Sequence, residues 1–423
     1  ARRPAGVLDR LEANLAEHGR AVRKGDRESF DKYDVEFPAG TAPLTSLQRR
    51  DVLTLGGAAM ALAGLGTACF RRPEEEILPY TKQPEEVIPG IPNYYATVQP
   101  RSEGAVGLVV EAHEGRPTKI EGNPHHPGSL GAADVWAQAE ILKLYDPDRA
   151  RSPLQAGKAV AWSDWDTFAK THFGQFAGNG GQGLALLVED VDSPTVQRVL
   201  DAGMKSFPNA KLYRWDPLAA DNAKLGAEAA FGPGARAHID FTKAKVVVDL
   251  DSDFLFAGPD HIKNAKQWSK GRRILDAKEA GGMSRLYSVE GAFTTTGASA
   301  DHRFRLSSGQ VPAFLKALAS ELAGKQGVQL GALAGDAKAP AGAEKFVTAL
   351  AADLAKNRGA SVIIVGERQP AAVHALAHAV NAALGANDGG VVTVTMTPGA
   401  QPHVSTHDSL AALVKSLTAN EVQ

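Results

Sequence analysis

From residue 184 onward, short apolar runs alternate with longer stretches whose apolar positions recur at helical spacing. Residues 184–188, 211–215, 245–250, 286–289 and 361–365 read as strands, each bounded by turn-forming residues. Residues 311–322 and 370–384 read as helices. Ser193-Pro194 supplies an N-cap followed by proline at the first helical position, with Val196, Val199 and Leu200 as the stripe that helix should bury. Strands separated by helices of this length imply parallel pairing with helices on both faces. The fold class predicted is therefore α/β, with layered sheets. Residues 332–344, rich in Ala, Gly and Lys, read as a surface linker.

Upstream the pattern changes. Residues 107–111 read as a strand, 114–117 as a turn and 118–122 as the returning strand. Asn123-Pro124-His125-His126-Pro127-Gly128 is a rigid loop, 132–144 has helical spacing, and Tyr145-Asp146-Pro147-Asp148-Arg149 closes it. Residues 72–100 carry prolines at a density that forbids a helix and disfavours a central strand, so an extended run over another surface is expected. Residues 1–40 are polar apart from a narrow stripe of Val7, Leu8, Leu11 and Leu15. Such an arm orders when a partner supplies apolar surface. Phe30, Tyr33, Phe37 and Pro38 would anchor it.

Between arm and extended run lies Gln48-Arg49-Arg50-Asp51-Val52-Leu53, then an apolar run to Cys69. Arg49 and Arg50 ahead of an uncharged Gly/Ala/Leu segment match a twin-arginine export signal. Residues 52–69 reach about the minimum length for a bilayer core, and Arg71-Arg72 bracket them on the far side. Cys69 would be the acylated residue of a lipobox, but Gly66-Thr67-Ala68 lacks the large aliphatic residue three before the cysteine. The segment is expected to stay attached and to cross or lie against the membrane part of a complex. The arm would then be held by partners on the cytoplasmic side, and the rest would fold on the outer, periplasmic face of the inner membrane.

Composition narrows the chemistry. A net charge of -2 gives no field to recruit nucleic acid. Among 423 residues there is one cysteine, which excludes an intrachain disulfide and any iron–sulfur or zinc site built from several thiolates of this chain.

Four constellations remain. His374 and His378 stand one turn apart on a helix, as in a zinc protease, but Ala375 replaces the glutamate such a motif needs. Two ligands without a third read as surface or packing residues. In His125-His126 successive side chains diverge, which disfavours a shared metal. Asp249, Asp251 and Asp253 follow a buried strand at the end where open α/β sheets bind ligands. No phosphate-gripping loop accompanies them, so turn formation and helix capping explain them more simply. The glycine-rich residues 174–183 precede a strand rather than follow one, and so form a loop and not a phosphate cradle. No Gly-x-Ser-x-Gly elbow or Walker motif appears.

The stretch Gly115-Arg116-Pro117-Thr118-Lys119-Ile120-Glu121-Gly122-Asn123-Pro124-His125-His126-Pro127, with the Tyr145 to Arg149 close, resembles the molybdopterin oxidoreductase superfamily. Where that superfamily places its last cluster-ligating cysteine and a lysine, this chain reads Leu130-Gly131-Ala132-Ala133-Asp134. Four further features narrow the likeness: the internal twin-arginine segment after Phe37-Pro38-Ala39-Gly40, the extended run from Arg71-Arg72-Pro73 to Pro92-Asn93-Tyr94-Tyr95-Ala96, the stretch from Val289-Glu290-Gly291 to Asp301-His302-Arg303, and Gly366-Glu367-Arg368-Gln369-Pro370 with Val373 to His378. Together they resemble the large, exported iron–sulfur subunit of bacterial alternative complex III.

That resemblance implies a molybdopterin oxidoreductase-like first half without molybdenum cofactor. It also implies iron–sulfur clusters in a C-terminal half or companion chain, haem c in multihaem cytochrome subunits, and quinol oxidation at integral membrane subunits. No catalytic, cofactor-binding or metal-ligating residue is then expected here, and the chain would be a portion of a longer polypeptide or of a split gene. The organisation expected is an arm (1–48), the twin-arginine and hydrophobic segment (49–70), an extended stretch (71–101), a small β-rich lobe (102–153) and an α/β region (154–423). Two alternatives stay open, an active molybdopterin oxidoreductase and a polysulfide-reductase-like complex. The first of them predicts a cleft lined by the loops after Leu250 and Val365.

Overall fold

A computed structural model describes residues 82, 84–101, 104–190, 193–397 and 402–422. The chain divides at Gln83/Pro84, and the architecture below is that of the unit Pro84–Gln423. The arm, Arg49, Arg50, the apolar segment and Cys69 lie outside the described residues. Among the described residues no helix is long and apolar enough to cross a membrane.

The unit begins with an antiparallel sheet of β1 (Asn93–Arg101), β2 (Gly104–His113) and β3 (Arg116–Gly122), with β2 in the middle. The extended stretch expected up to residue 101 thus ends early. Asn93 to Arg101 pairs residue by residue with β2, and its Pro100 is tolerated because β1 is an edge strand. Helix α1 (Val135–Leu144) starts three residues later than its periodicity suggests, because Asp134 caps it by accepting the Ala137 N–H. Val106, Leu108, Ile120 and Ala137 form the small core of this lobe.

A short ribbon follows, β4 (Leu154–Gln155) with β5 (Lys158–Ala159), and then α2 (Trp162–Gly174). A parallel pair comes next: β6 (Ala185–Val188), α3 (Pro194–Ser206) and β7 (Lys211–Arg214). Ser193 caps α3 as the sequence indicates, accepting the Val196 N–H, with Pro194 in the first turn. The stripe expected to be buried is not. Val196 is 42% and Val199 63% exposed, because this two-stranded pair presents too little surface to cover a helix and no other described element does so.

The centre of the unit is built from α4 (Asp221–Phe231), β8 (Ala235–Ile239), β9 (Val246–Leu250), α5 (His261–Arg272), β10 (Arg285–Glu290), α6 (Thr295–Ala298) and β11 (His302–Arg305). It continues through α7 (Val311–Gln326), α8 (Glu344–Lys356), β12 (Ser361–Val365), α9 (Ala371–Ala383), β13 (Val392–Met396) and α10 (Thr406–Thr418). Strands β11, β10, β9 and β12 lie side by side in that order, and every pairing is parallel.

The apolar run of β9 is buried on both faces, as a central parallel strand requires. Val246, Val248 and Leu250 enter one core with Leu315 and Leu318 of α7, Leu350 of α8 and Val380 of α9. Val247, one residue out of phase, enters the other core with Phe241, Phe254, Leu286 and Val362, against which Trp268 of α5 packs. Helices therefore cover both faces, and the fold is a layered α/β structure.

Strand order fixes where a ligand can sit. Chain direction through the sheet reverses at β9, with β10 on one side and β12 on the other. Such a reversal leaves a crevice at the carboxyl ends of the two strands.

Candidate functional site

That crevice is a cavity of about 640 Å³, within the range of small-molecule sites. The loops after Leu250 and Val365 form its rim, α4 and α9 one wall, and β8 another.

Two tight approaches hold the rim. Gly366 packs so closely on the loop after β9 that an added Cβ would lie 1.8 Å from the Asp251 carbonyl oxygen. Asp251 has a left-handed backbone (φ 58°), and its carboxylate accepts the Ser308 hydroxyl at 2.5 Å and the Gln369 amide at 3.1 Å. Gln369 is 2% exposed and also donates to the Ser308 carbonyl. Two loops more than a hundred residues apart in sequence are thereby tied through one carboxylate. Asp253 accepts the Thr296 N–H at 2.9 Å and so caps the start of α6. Turn formation and capping, the plainer reading of these aspartates, are what Asp251 and Asp253 do.

Charge in the cleft is mixed. Asp251, Asp253, Asp260 and Glu367 line it together with Lys224, Arg236 and Arg368. Lys224 pairs with Asp190 at 2.7 Å. His238, its Nδ1 4.0 Å from the carboxylate, and Lys263 together hold the Asp260 carboxyl below its usual range despite burial.

His374 and His378 lie in the wall formed by α9. His374 packs where α4 carries Gly226, whose missing side chain allows the approach: a Cβ there would fall 2.3 Å from the Cβ of His374. His378 lies against Phe231 with ring centroids 5.2 Å apart and the ring planes tilted by 60°. Burial pushes both imidazoles down to about 4, and in His374 the neighbouring His378 adds to the effect, so both are neutral at physiological pH.

Asp249 differs from its two neighbours in sequence. It sits inside β9, fully buried, accepting the Ser288 hydroxyl at 2.7 Å and the Ser252 N–H at 3.0 Å. Burial raises its carboxyl to about 7. Between the unfolded value near 3.8 and about 7 the native state binds more protons than the unfolded one, so this group makes stability fall as pH rises through that window. Asp249→Asn should remove that loss. We expect the variant to gain stability relative to wild type as pH is raised from 4 to 7, by up to ~4 kcal/mol at neutrality. Urea melts at several pH values measure it, and a difference independent of pH would contradict it.

The structure brings together residues that the sequence presents separately. Asp251, Asp253, His374 and His378 share one cleft, whereas Asp249 lies beneath it and His125, His126 and the glycines of 174–183 lie elsewhere. His126 is spent locally, its Nδ1 accepting the Gly128 N–H. Lys224, Arg236, His238, Asp260, Glu367 and Arg368 are lining residues that sequence reasoning misses. The available signal was a polar cluster directly after a buried apolar strand, as in Gly366-Glu367-Arg368 after β12. Among the described residues no group of three or more His, Cys, Asp or Glu side chains is placed to hold a metal.

The loop at residues 130–134 is filled by packing. Ala132 and Ala133 pack against the core of the small lobe, and a Cβ on Gly122 would meet the Ala132 carbonyl oxygen at 2.1 Å. Asp134 pairs with Arg101 at 2.8 Å and with His261 at 3.1 Å, joining the lobe to α5.

No family model matches the chain. Acetylene hydratase from Pelobacter acetylenicus is a distant structural likeness (TM-score 0.44, 12% identity, 74% of this chain and 46% of that one). The formyltransferase/hydrolase complex of Methylorubrum extorquens is more distant still (TM-score 0.35, 16% identity, 61% of this chain and 63% of that one). In sequence, the chain is 28% identical over 186 residues to the menaquinone reductase molybdopterin-binding-like subunit of Nitratidesulfovibrio vulgaris, a match spanning 42% of this chain and 26% of that protein.

Proposed function

We propose that the chain is a cofactor-free structural part of the electron-transfer subunit of a quinol:electron acceptor oxidoreductase, of the alternative complex III type, in a bacterial respiratory chain. The observation that carries this reading is the filled loop at residues 130–134. A cluster ligand is replaced there by two alanines packed on the lobe core and by an aspartate committed to a helix cap, an ion pair with Arg101 and a hydrogen bond with His261.

An iron–sulfur cluster does not fit these residues. It needs about four thiolates, and the chain has one cysteine, at position 69. The clusters belong instead to a C-terminal half or companion chain, with haem c in multihaem cytochrome subunits and quinol bound in integral membrane subunits. The relative's description as part of a menaquinone reductase supports a quinol-linked assembly. The twin-arginine motif at Arg49 and Arg50 supports a place on the periplasmic face of the inner membrane. In such an assembly this chain shapes and insulates the neighbouring cluster domain and carries no redox step itself. Purification through a tag on this chain should bring down multihaem cytochrome c. Recovery with iron–sulfur subunits but no c-type haem would favour a polysulfide-reductase-like complex.

One observation favours a second reading. The cleft predicted for an active molybdopterin oxidoreductase exists, at the carboxyl ends of β9 and β12. Its size suits a pterin. Its charge does not suit the diphosphate of a pterin dinucleotide, since carboxylates outnumber lysines and arginines among its lining residues and Lys224 is already paired. The cofactor-free reading accordingly leads.

A further inference from the structure

Two atoms in the cleft wall have no account in the packing described so far. Nε2 of His374 and Nδ1 of His378 are both buried, and neither has a hydrogen-bond partner. A buried polar atom left unpaired costs about 1–3 kcal/mol, and native structures seldom leave one without a water, ion or ligand to meet it. Here two occur one helical turn apart on the same helix, on residues that line the same cavity.

The rings are also held in place. His374 is 5% exposed and wedged against Gly226, and His378 is fixed beside Phe231. Side chains at this spacing on a helix have Cβ atoms about 5–6 Å apart, close enough for two imidazoles to share one ion. In the tautomer whose proton sits on the other ring nitrogen, each of these two nitrogens offers a lone pair to a cation with no hydrogen bond to break.

We propose that His374 and His378 form a two-imidazole site for a first-row divalent ion of the zinc class in the wall of the cleft. Imidazole nitrogen suits Zn²⁺ and its neighbours better than Mg²⁺ or Ca²⁺, which prefer oxygen. No third His, Cys, Asp or Glu among the described residues completes the shell. Both nitrogens are themselves buried, so the remaining positions fall to water carried in with the ion. This inference does not rest on the assembly proposed above, and a pterin found in the complex would leave it standing.

The test is zinc binding by the full chain in the form in which it purifies, stripped of metal and titrated with ZnCl2 at neutral pH. His374→Gln, His378→Gln and the double variant are compared with wild type, and His407→Gln, at an 84% exposed side chain, serves as control. Wild type and the control should bind one zinc per chain that the double variant lacks, with affinity at least tenfold weaker in each single variant. X-ray absorption at the zinc edge should then report two imidazole nitrogens at about 2.0–2.1 Å. Should His374→Gln fail to fold, His378→Gln carries the same comparison. Equal zinc stoichiometry and affinity in wild type and variants, the result if water alone meets these nitrogens, would overturn the proposal.

Discussion

Arg303→Ala should destabilise the chain by about 3–5 kcal/mol at neutral pH. The Glu290 side chain is 1% exposed at the end of β10, and Arg303 is its cation, Nε to Oε1 at 2.5 Å. Thr294 adds a hydroxyl donor at 2.6 Å while its own Oγ1 accepts the Gly297 N–H, capping α6. Gly297 must lack a side chain, since a Cβ would sit 1.8 Å from Oε1 of Glu290. Removing the guanidinium strands a carboxylate that cannot reach water, and the penalty is its desolvation rather than the loss of one contact. The Arg303 contact with the Phe293 ring, at 4.7 Å, goes with it. Denaturant melts measure the effect. Glu290→Gln combined with Arg303→Ala should recover part of the loss, because the stranded charge is then gone. A cost below about 1 kcal/mol for Arg303→Ala would show that the pair behaves like a surface ion pair.

The second large effect is expected at Gly366. Gly366→Ala should cost about 3 kcal/mol, because its Cβ would meet backbone and not a side chain able to turn aside. The atoms in the way are the Asp251 carbonyl oxygen and carbon, at 1.8 and 2.5 Å. Parting the loops by the distance needed also breaks the Asp251–Gln369–Ser308 bonds that close the rim. Hydrogen exchange should therefore quicken in residues 251–260 and 366–370 while β9 stays protected. Unchanged exchange in both loops would mean that Gly366 is not what holds the rim.

These two sites explain much of what was legible in the sequence. The stretch from Val289 to Arg303 supports a family resemblance, and the structure gives it a physical role: a buried acid, its cation, a capping threonine and a glycine that must stay small. Gly366-Glu367-Arg368-Gln369-Pro370 likewise combines a close backbone approach with a buried amide that ties two loops. Runs such as Val246-Val247-Val248, buried on both faces, are readable because a central parallel strand has no polar face.

What stayed hidden depends on partners distant in sequence. The antiparallel pair of β8 and β13 joins Ala235-Arg236-Ala237-His238-Ile239 to Val392-Thr393-Val394-Thr395-Met396. Neither segment has a fully apolar run, and only their pairing makes them strands. His374 and His378 read as surface or packing residues because periodicity cannot tell which face of α9 meets α4. The small side chains of Gly226 and Ala227 decide that. Conversely, the stripe of Val196 and Val199 is amphipathic as its spacing indicates, but none of the described elements covers it. The cleft itself depends on strand order, which reverses at β9, and it was the family resemblance rather than the local pattern that pointed to the loops after Leu250 and Val365.

The central claim is that this chain shapes an electron-transfer assembly without holding a molybdopterin cofactor. Molybdenum and pterin analysis of the intact purified complex, with each content expressed per copy of this chain, tests it most directly. Neither is expected in stoichiometric amount. One molybdenum and a matching pterin content per chain, both lost from a complex whose cleft is blocked by substitution, would contradict it.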